Sequence, residues 1–152
     1  AENVADMLRD VELHFAYRAK QEHKELVLSG PEEVLLFCDR DWLTEAIDNI
    51  VKNALDHTES GDAVHITWKA LPNAVQIAVK DNGCGISSSD LSRVFEKGFT
   101  GSDRSKSNST GVGLYLARKL SFRLGLKLDI ASEEKEYTIL QITFPKGTVH
   151  RI

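Results

Sequence analysis

Residues 41–58 read DWLTEAIDNIVKNALDHT, and this segment is the most informative one in the chain. Its apolar residues recur at the spacing of an amphipathic helix, which Asp39 or Asp41 is placed to cap. The residues expected to face the core are Leu43, Ala46, Ile47, Ile50, Val51 and Ala54. The segment therefore predicts a helix that packs on a hydrophobic core.

Three oxygen-bearing side chains follow one another at intervals of four residues on this helix: Glu45, Asn49 and Asn53. Residues four apart on a helix lie one above the other on nearly the same face. Asparagine is a mediocre helix former, because its amide competes with the backbone for hydrogen bonds. At about 100° per residue, the two asparagines fall beside the apolar stripe, at the rim of the core. The row predicts a surface that binds a hard cation or a phosphate–metal unit.

The rest of the chain alternates between helical and strand patterns. Helical spacing is found in residues 4–21 and 111–124, and strand patterns in residues 26–28, 34–37, 64–70, 74–80, 126–130 and 137–144. The first two of these strands meet at the Gly30-Pro31 turn. The order of the elements implies helices on one face of a largely antiparallel sheet, within a single domain that spans residues 1–152.

Composition narrows the class of protein. The chain has 152 residues and a net charge of −4, which argues against a general nucleic-acid binder. Its apolar runs are too short for a membrane span. Cys38 and Cys84 are too few and too far apart for a zinc or disulfide framework, and they fit a reducing compartment. We therefore expect a cytosolic α/β domain.

Two glycine loops bracket a polar segment, residues 99–110, whose composition predicts a mobile lid. Residues 81–86 (DNGCGI) leave a strand, and residues 110–114 (TGVGL) open a helix. Alternate glycines let the backbone approach a ligand closely, and a helix N-terminus suits phosphate. Neither loop has the third glycine of a dinucleotide fingerprint, and the sequence contains no P-loop motif. Either loop alone is more often a turn than a binding site.

The order of these motifs resembles the GHKL ATP-binding family and, more closely, the catalytic and ATP-binding domain of sensor histidine kinases. Four segments are similar to that family's N box, first G box, F box and second G box: residues 49–58, 81–86, 94–99 and 109–116. The similarity runs from about Val4 to Pro145. It implies a Bergerat-type two-layer α/β sandwich, with a mixed, mainly antiparallel sheet covered on one face by three helices.

The resemblance also implies a site for ATP and Mg²⁺. Asn53 would coordinate Mg²⁺, with Asn49 as a second contact. Asp81 would accept a hydrogen bond from the adenine amino group, and Ile86 would form an apolar wall for the ring. The expected nucleotide-binding residues are Asn49, Asn53, His57, Asp81, Gly83, Gly85, Ile86, Lys97, Arg104, Thr110, Gly111, Val112, Gly113 and Leu114.

The same resemblance assigns the phosphate end of the site. Gly111 and Gly113 would admit the phosphates to the helix N-terminus. Lys97, and secondarily Arg104 and Lys106, would pair with the β- and γ-phosphates as charge leaves the transferred group. The residues expected to take part in catalysis are Glu45, Asn49 and Lys97.

One position separates the subclasses of this family. In gyrase-, chaperone- and mismatch-repair-type members, the position four before the magnesium asparagine is a glutamate that activates water. Here that position is Asn49, and an amide cannot act as a general base at neutral pH. The resemblance gives Glu45, one turn earlier, no fixed role as a base. The sequence therefore predicts transfer of the γ-phosphoryl group to a histidine on the dimerisation domain of its own kinase, and from there to a response-regulator aspartate.

Two departures from the family pattern keep alternatives open. The family often has a basic residue where this chain has Asp56, whose carboxylate would repel phosphates; His57 would then supply the polar contact. None of the five histidines lies in a stretch like the family's acceptor motif. We therefore expect a monomeric cytoplasmic fragment of a membrane-anchored homodimer, with residues 1–22 connecting to the absent acceptor domain.

Three other functions fit the same residues. The chain would be a kinase of serine in a partner protein, as in GHKL anti-sigma factors, or a nucleotide-binding module without catalysis. The third alternative is an ATP-driven conformational machine, for which we expect steady ATP hydrolysis by the isolated domain. Acid-labile phosphate on the target separates the histidine kinase from the serine kinase.

Overall fold

The computed structural model describes residues 2–91, 93–96 and 113–145. The helices in these residues are α1 (Val4–Gln21), α2 (Arg40–Asp56), α3 (Ser88–Leu91) and α4 (Gly113–Leu124). The strands are β1 (Glu2–Asn3), β2 (Glu25–Ser29), β3 (Leu35–Leu36), β4 (Ala63–Leu71), β5 (Ala74–Asp81), β6 (Lys127–Glu133) and β7 (Tyr137–Pro145).

The main sheet has five strands in the order β2-β4-β5-β7-β6. Strand β2 pairs with β4 in parallel, and the other three pairings are antiparallel. Buried residues alternate along β5, β7 and the first six residues of β4, so one face of the sheet lies on the core. The predicted two-layer α/β fold with a mixed, mainly antiparallel sheet is confirmed.

The two strands around Gly30-Pro31 join different sheets. Strand β2 lies at the edge of the main sheet, whereas β3 pairs with β1 in a separate two-stranded sheet. The indole N–H of Trp68 donates a hydrogen bond to the carbonyl oxygen of Pro31 at 2.7 Å. The chain is thus tied over the Trp68 side chain instead of turning back to pair with β2.

Helix α2 forms where the sequence predicts it. Asp39 caps its N-terminus by accepting a hydrogen bond from the backbone N–H of Trp42, and the expected stripe is buried in the core. The helix ends at Asp56, two residues before the predicted end. The backbone N–H of His57 bonds back to the Asn53 carbonyl oxygen at 3.1 Å, and Thr58 already leaves the helix.

Helix α1 is an integral part of the core. Asn3 caps it by accepting a hydrogen bond from Ala5 N–H, and Val4, Met7, Leu8 and Val11 are fully buried. Residues 4–21 therefore pack within this domain, in addition to any connecting role. None of the helices in the described parts of the chain is long and apolar enough to cross a membrane.

Three helices are expected from the sequence, and the described residues contain four. The additional one is α3, a single turn in which the backbone N–H groups of Asp90 and Leu91 donate to the Ser87 carbonyl oxygen. The Ser87 hydroxyl also accepts a hydrogen bond from Asp90 N–H at 3.3 Å. A helix of four residues is too short to produce a periodic apolar pattern, which is why the sequence does not reveal it.

Candidate functional site

The two asparagines of α2 lie at the rim of the core, as predicted. Asn49 and Asn53 are half-buried, one turn apart, beside the fully buried Ile50. Among the described residues, neither side-chain amide has a hydrogen-bonding partner. Because half-buried polar groups are normally satisfied by protein or water, this face of α2 has oxygen ligands available to a bound molecule.

The structure separates Glu45 from the two asparagines. Glu45 is exposed and borders a groove of about 280 Å³ between α1 and α2, and Asn49 and Asn53 do not. The other residues that line this groove are Asp10, His14, Arg40, Asp41, Thr44 and Asp48. Residues four apart advance by about 40° around a helix, so a row of three drifts by about 80°. Glu45 and Asn53 therefore lie about 80° apart around α2, and only Glu45 of the three borders the groove.

Asp81 lies at the end of β5, the central strand of the sheet. It pairs with Val64 on one side and Thr138 on the other, and it is only 4% exposed. One carboxylate oxygen accepts a hydrogen bond from Gly83 N–H at 2.9 Å, and no described cation forms an ion pair with it. Burial raises the pKa of Asp81 to about 6. The hydrogen bond from Gly83 lowers this pKa, and the charge of Asp62 raises it slightly.

A buried carboxylate with a raised pKa is a candidate for binding a ligand. Burying a charge without a counter-ion costs free energy, and a raised pKa is the consequence. Strongly shifted pKa values cluster at functional sites, because a ligand supplies the missing partner. Asp81 is positioned to accept a hydrogen bond from a donor group of a bound molecule.

The first glycine loop is held against the end of α2. A Cβ at Gly83 would lie 2.3 Å from the backbone oxygen of His57, a distance that no side chain tolerates. The backbone N–H of Cys84 donates to this same oxygen at 3.4 Å. Gly83 is therefore required for the close approach of the loop to α2, in addition to any approach of a ligand.

The other side of the loop rests on the turn between β6 and β7. Gly85 has a positive φ of +69°, and a Cβ there would lie 2.3 Å from the Glu133 carbonyl oxygen. The carbonyl oxygen of Cys84 accepts a hydrogen bond from Lys135 N–H at 2.6 Å. The charged hairpin turn thus serves as a support for the loop.

Ser132 holds Ile86 in place and is a site residue that the sequence does not reveal. Its hydroxyl oxygen accepts a hydrogen bond from Ile86 N–H at 2.7 Å and donates to the carbonyl oxygen of Tyr137 at 2.7 Å. Ile86 packs partly buried against the core. The predicted apolar wall is therefore fixed by a strand that lies 46 residues further along the chain.

Asp56 does not present an uncompensated charge. Its side chain is 3% exposed and forms ion pairs with Arg18 at 2.7 Å and Lys52 at 2.9 Å. The repulsion of phosphates expected from the sequence is therefore offset by two cations. Burial lowers the pKa of the neighbouring His57, so its imidazole is neutral at neutral pH and offers a hydrogen bond instead of a charge.

Helix α4 packs against α2, and Phe95 contacts α4. Phe95 packs against the core, and the guanidinium of Arg118 lies 5.3 Å from its ring centroid. Leu114 is 6% exposed and belongs to the core, so it positions the start of α4 by packing. The remaining candidates and the predicted lid lie outside the described residues: Lys97, Arg104, Lys106, Thr110, Gly111 and Val112.

A magnesium ion fits the donor set of α2 only together with a substrate. Within residues 2–91, 93–96 and 113–145, no group of three or more His, Cys, Asp and Glu residues is arranged to hold a metal. Mg²⁺ usually takes one or two protein oxygens and completes its octahedral shell with water and substrate phosphates. The free amide oxygens of Asn49 and Asn53 match that smaller contribution.

Comparison with known proteins gives a family. The sequence profile described as "Histidine kinase-, DNA gyrase B-, and HSP90-like ATPase" matches residues 38–148. Sensor protein kinase GraS of Staphylococcus aureus (strain MRSA252) is 34% identical over 111 residues, covering 72% of this chain and 32% of that protein. Sensor protein BceS of Bacillus subtilis (strain 168) is 37% identical over 108 residues, covering 70% and 32%. The chain thus spans about a third of the length of these curated relatives.

Solved structures share the fold. The nucleotide-free catalytic domain of histidine kinase ThkA superposes with a TM-score of 0.83 at 22% identity, covering 95% of this chain and 93% of that chain. Histidine kinase ThkA has also been solved in complex with the response regulator protein TrrA, and that kinase chain gives a TM-score of 0.81 at 20% identity. The match covers 99% of this chain and 42% of that chain.

Proposed function

Since this chain belongs to the family of histidine kinase-, DNA gyrase B- and HSP90-like ATPases, we propose that it binds Mg²⁺–ATP and donates the γ-phosphoryl group to a histidine of its own sensor kinase. The observation that carries this proposal is the buried carboxylate of Asp81, which has no counter-ion among the described residues and lies in a loop docked on the end of α2. The same helix carries the free amides of Asn49 and Asn53.

Asp81 would select adenine. In its ionised form it accepts a hydrogen bond from the exocyclic amino group, with Ile86 against the ring and Gly83 and Gly85 fixing the loop. Guanine carries a carbonyl oxygen at the corresponding position, so it would place two acceptors against each other. A site built around such a hydrogen bond rejects an analogue that cannot form it.

The phosphate end would be held by α2 and by the second glycine loop. Asn53, with Asn49 beside it, would hold Mg²⁺, which supplies neutralisation of the phosphate charge. Lys97 and Arg104 would pair with the terminal phosphates, and His57 would offer a neutral polar contact. The N-terminus of α4 would bind phosphate through backbone N–H groups, with Thr110, Gly111, Val112 and Gly113 in the loop that leads to it.

Asn49 would direct the phosphoryl group to a protein acceptor instead of water. An amide at this position accepts no proton at neutral pH, so water would lack a general base. Glu45 has the weakest support as a catalytic group, because it borders the groove on the α1 side. The ion pairs of Asp56 remove the main reason to favour a binding module that has lost catalysis.

The partners follow from the same proposal. The acceptor histidine would lie in the dimerisation domain of the parent kinase, a membrane-anchored homodimer, and the phosphate would pass to the receiver domain of a response regulator. The kinase ThkA, which shares the fold, has been solved with a response regulator. The domain itself would act in the cytoplasm, without nucleic acid.

Incubation of the full-length parent kinase with Mg²⁺ and γ-labelled ATP tests this function. We expect a phosphoprotein whose label is lost in acid and retained in base, as for phosphohistidine, and no steady hydrolysis by the isolated chain. Acid-stable label would indicate a serine kinase, and steady hydrolysis without a phosphoprotein would indicate an ATP-driven conformational machine. ATP binding without either product would indicate a binding module.

A further inference from the structure

Lys24 lies in the connection between α1 and β2 and is buried against the end of α2. Its side chain is 8% exposed, and its ammonium group donates to the Leu55 carbonyl oxygen at 2.6 Å and to Glu22 at 2.7 Å. Helix α2 has no basic residue in its own last turn. Cations stabilise the negative end of a helix dipole and the free carbonyls there. Lys24 therefore provides from outside the cation that α2 lacks.

The backbone around Lys24 is fixed on both sides. His23 has a left-handed φ of 57°, which ends α1 and turns the chain toward α2. The Lys24 N–H donates to Ala19 O at 2.9 Å, and the carbonyl oxygen of His23 accepts from Gly61 N–H at 2.8 Å. The hydrogen bond from Lys24 also lowers the pKa of the Glu22 carboxyl, against a smaller effect of burial. The ammonium group is thus presented to Leu55 by a well-tied segment.

The turn that Lys24 binds is the one that supports the first glycine loop. The Leu55 oxygen also accepts a hydrogen bond from the Thr58 hydroxyl at 3.1 Å. Two residues after Leu55, the oxygen of His57 receives the Cys84 N–H and leaves no room for a Cβ at Gly83. Gly83 N–H in turn bonds to the Asp81 carboxylate. An unbroken series of contacts therefore joins Lys24 to Asp81.

We propose that Lys24 is a positioning residue of the nucleotide site: by binding the last-turn carbonyl of α2, it fixes where the first glycine loop presents the Asp81 carboxylate to the base. The inference rests on the proposed ATP binding. Lys24 touches no nucleotide in this scheme, and it lies outside residues 38–148, which match the family profile. Its role depends on how the connection between α1 and β2 packs against α2 in this chain.

Calorimetric titration of the chain with Mg²⁺–ATP, Mg²⁺–ADP and Mg²⁺–GTP tests this role, at a temperature at which every variant is folded. For Lys24→Met we expect the affinities for ATP and for ADP to fall by the same factor relative to the parent. That factor should be about tenfold, which is the scale of one lost charge-assisted hydrogen bond. The preference for ATP over GTP should fall by a similar factor, because the base-reading carboxylate is displaced. Lys24→Arg should restore both within about twofold, since it keeps the cation.

Lys20→Met is the matched control, because it makes the same chemical change at an exposed position of α1. We expect it to bind like the parent. If Lys24→Met does not fold, Glu22→Gln replaces it, because it removes the carboxylate that holds the Lys24 ammonium and leaves the cation in place. We expect the same fall in the ATP over GTP preference, smaller in size.

The outcomes separate this inference from the function on which it rests. A parent chain that binds no ATP contradicts the proposed function. A parent that binds ATP, with folded Lys24→Met or Glu22→Gln variants of unchanged affinity and base preference, overturns the positioning role alone. A loss that is larger for ATP than for ADP also overturns it, because it would place the effect at the phosphates.

Discussion

Two buried carboxylates on neighbouring elements have opposite surroundings. The Asp56 side chain, at the end of α2, is 3% exposed and lies between the cations of Arg18 and Lys52. Asp81, at the end of β5, is 4% exposed and has one backbone N–H as its partner among the described residues. Both come from the motif segments that resemble an ATP site, yet only Asp81 lacks a cationic partner among the described residues.

This difference separates a structural carboxylate from a binding one. A buried carboxylate with two cations is satisfied, and removing either partner leaves an uncompensated charge. A buried carboxylate without a cation destabilises the empty domain at neutral pH, and a ligand donor relieves that cost. The surroundings of the side chain, and not its presence in a motif, indicate which role it has.

Replacing Asp56 should give the largest change in stability. We expect Asp56→Asn to lower the free energy of unfolding by about 3 kcal/mol, because Arg18 and Lys52 lose their shared partner. Affinity for Mg²⁺–ATP should stay within about twofold at a temperature at which the variant is folded. Urea unfolding and calorimetry measure the two quantities.

Asp48→Asn is the control for this change, since it removes a more exposed carboxylate from the same helix. The Asp48 side chain is 28% exposed and bonds to His14 at 2.9 Å, so we expect a loss of less than about 1 kcal/mol. Equal losses in the two variants would contradict the special role of the Asp56 ion pairs.

Replacing Asp81 should raise the free energy of unfolding, in contrast to replacing Asp56. Its pKa of about 6 lies above the ordinary 3.8, so the folded state retains a proton that the unfolded state has released between these pH values. The free energy of unfolding of the parent therefore falls as pH rises through this window, by at most about 3 kcal/mol. We expect nucleotide-free Asp81→Asn to be about 2 kcal/mol more stable than the parent above pH 6.

The pH dependence distinguishes this explanation from a general packing effect. The gain of Asp81→Asn should shrink as pH falls through this window and disappear below about 3.8, because the parent carboxyl is then protonated in both the folded and the unfolded state. Urea unfolding of both proteins across this range measures it. A gain that is the same at every pH would contradict the assignment to an ionised, unmatched carboxylate.

Of the replacements of Asp56, Asp81 and Ser132, loss of the Ser132 hydroxyl should have the smallest effect on stability. Ser132→Ala leaves Ile86 N–H without its 2.7 Å acceptor, and we expect a loss of about 1 kcal/mol of stability. ATP affinity should weaken by about threefold, because the loop loses one of its supports. Ser89→Ala, at an exposed position of α3, is the control and should change neither quantity.

The sequence reveals what is local. The core stripe of α2 and the rim position of Asn49 and Asn53 follow from periodicity within one segment, and the structure confirms them; of the two capping candidates, Asp39 and Asp41, it is Asp39 that caps the helix. The loop of residues 81–86 is recognisable because its glycines and aspartate are adjacent in the chain. Local patterns are sufficient for these features because helix and turn preferences act over a few residues.

The supports of the site are not local, and the sequence does not reveal them. Lys24 and Leu55 are 31 residues apart, and Arg18 and Asp56 are 38 apart. From the sequence alone, a lysine or arginine near a helix end is ordinarily interpreted as a solvent-exposed side chain. Asp56 looks unfavourable in the sequence for the same reason, because Arg18, one of the two cations that offset its charge, comes from another helix.

Recognition of adenine by Asp81 can be tested by measuring the ATP affinity of the parent and of Asp81→Asn at pH 7.5 and at pH 5. Between these two pH values we expect the affinity of the parent for Mg²⁺–ATP to fall about tenfold more than that of the variant, because a carboxyl with a pKa of about 6 is mostly protonated at pH 5. Titration of the nucleotide phosphates is common to both proteins and cancels in this ratio. At pH 7.5 the variant should bind about 100-fold more weakly than the parent. Equal affinities at pH 7.5, with the same pH dependence in both proteins, would contradict adenine recognition by Asp81.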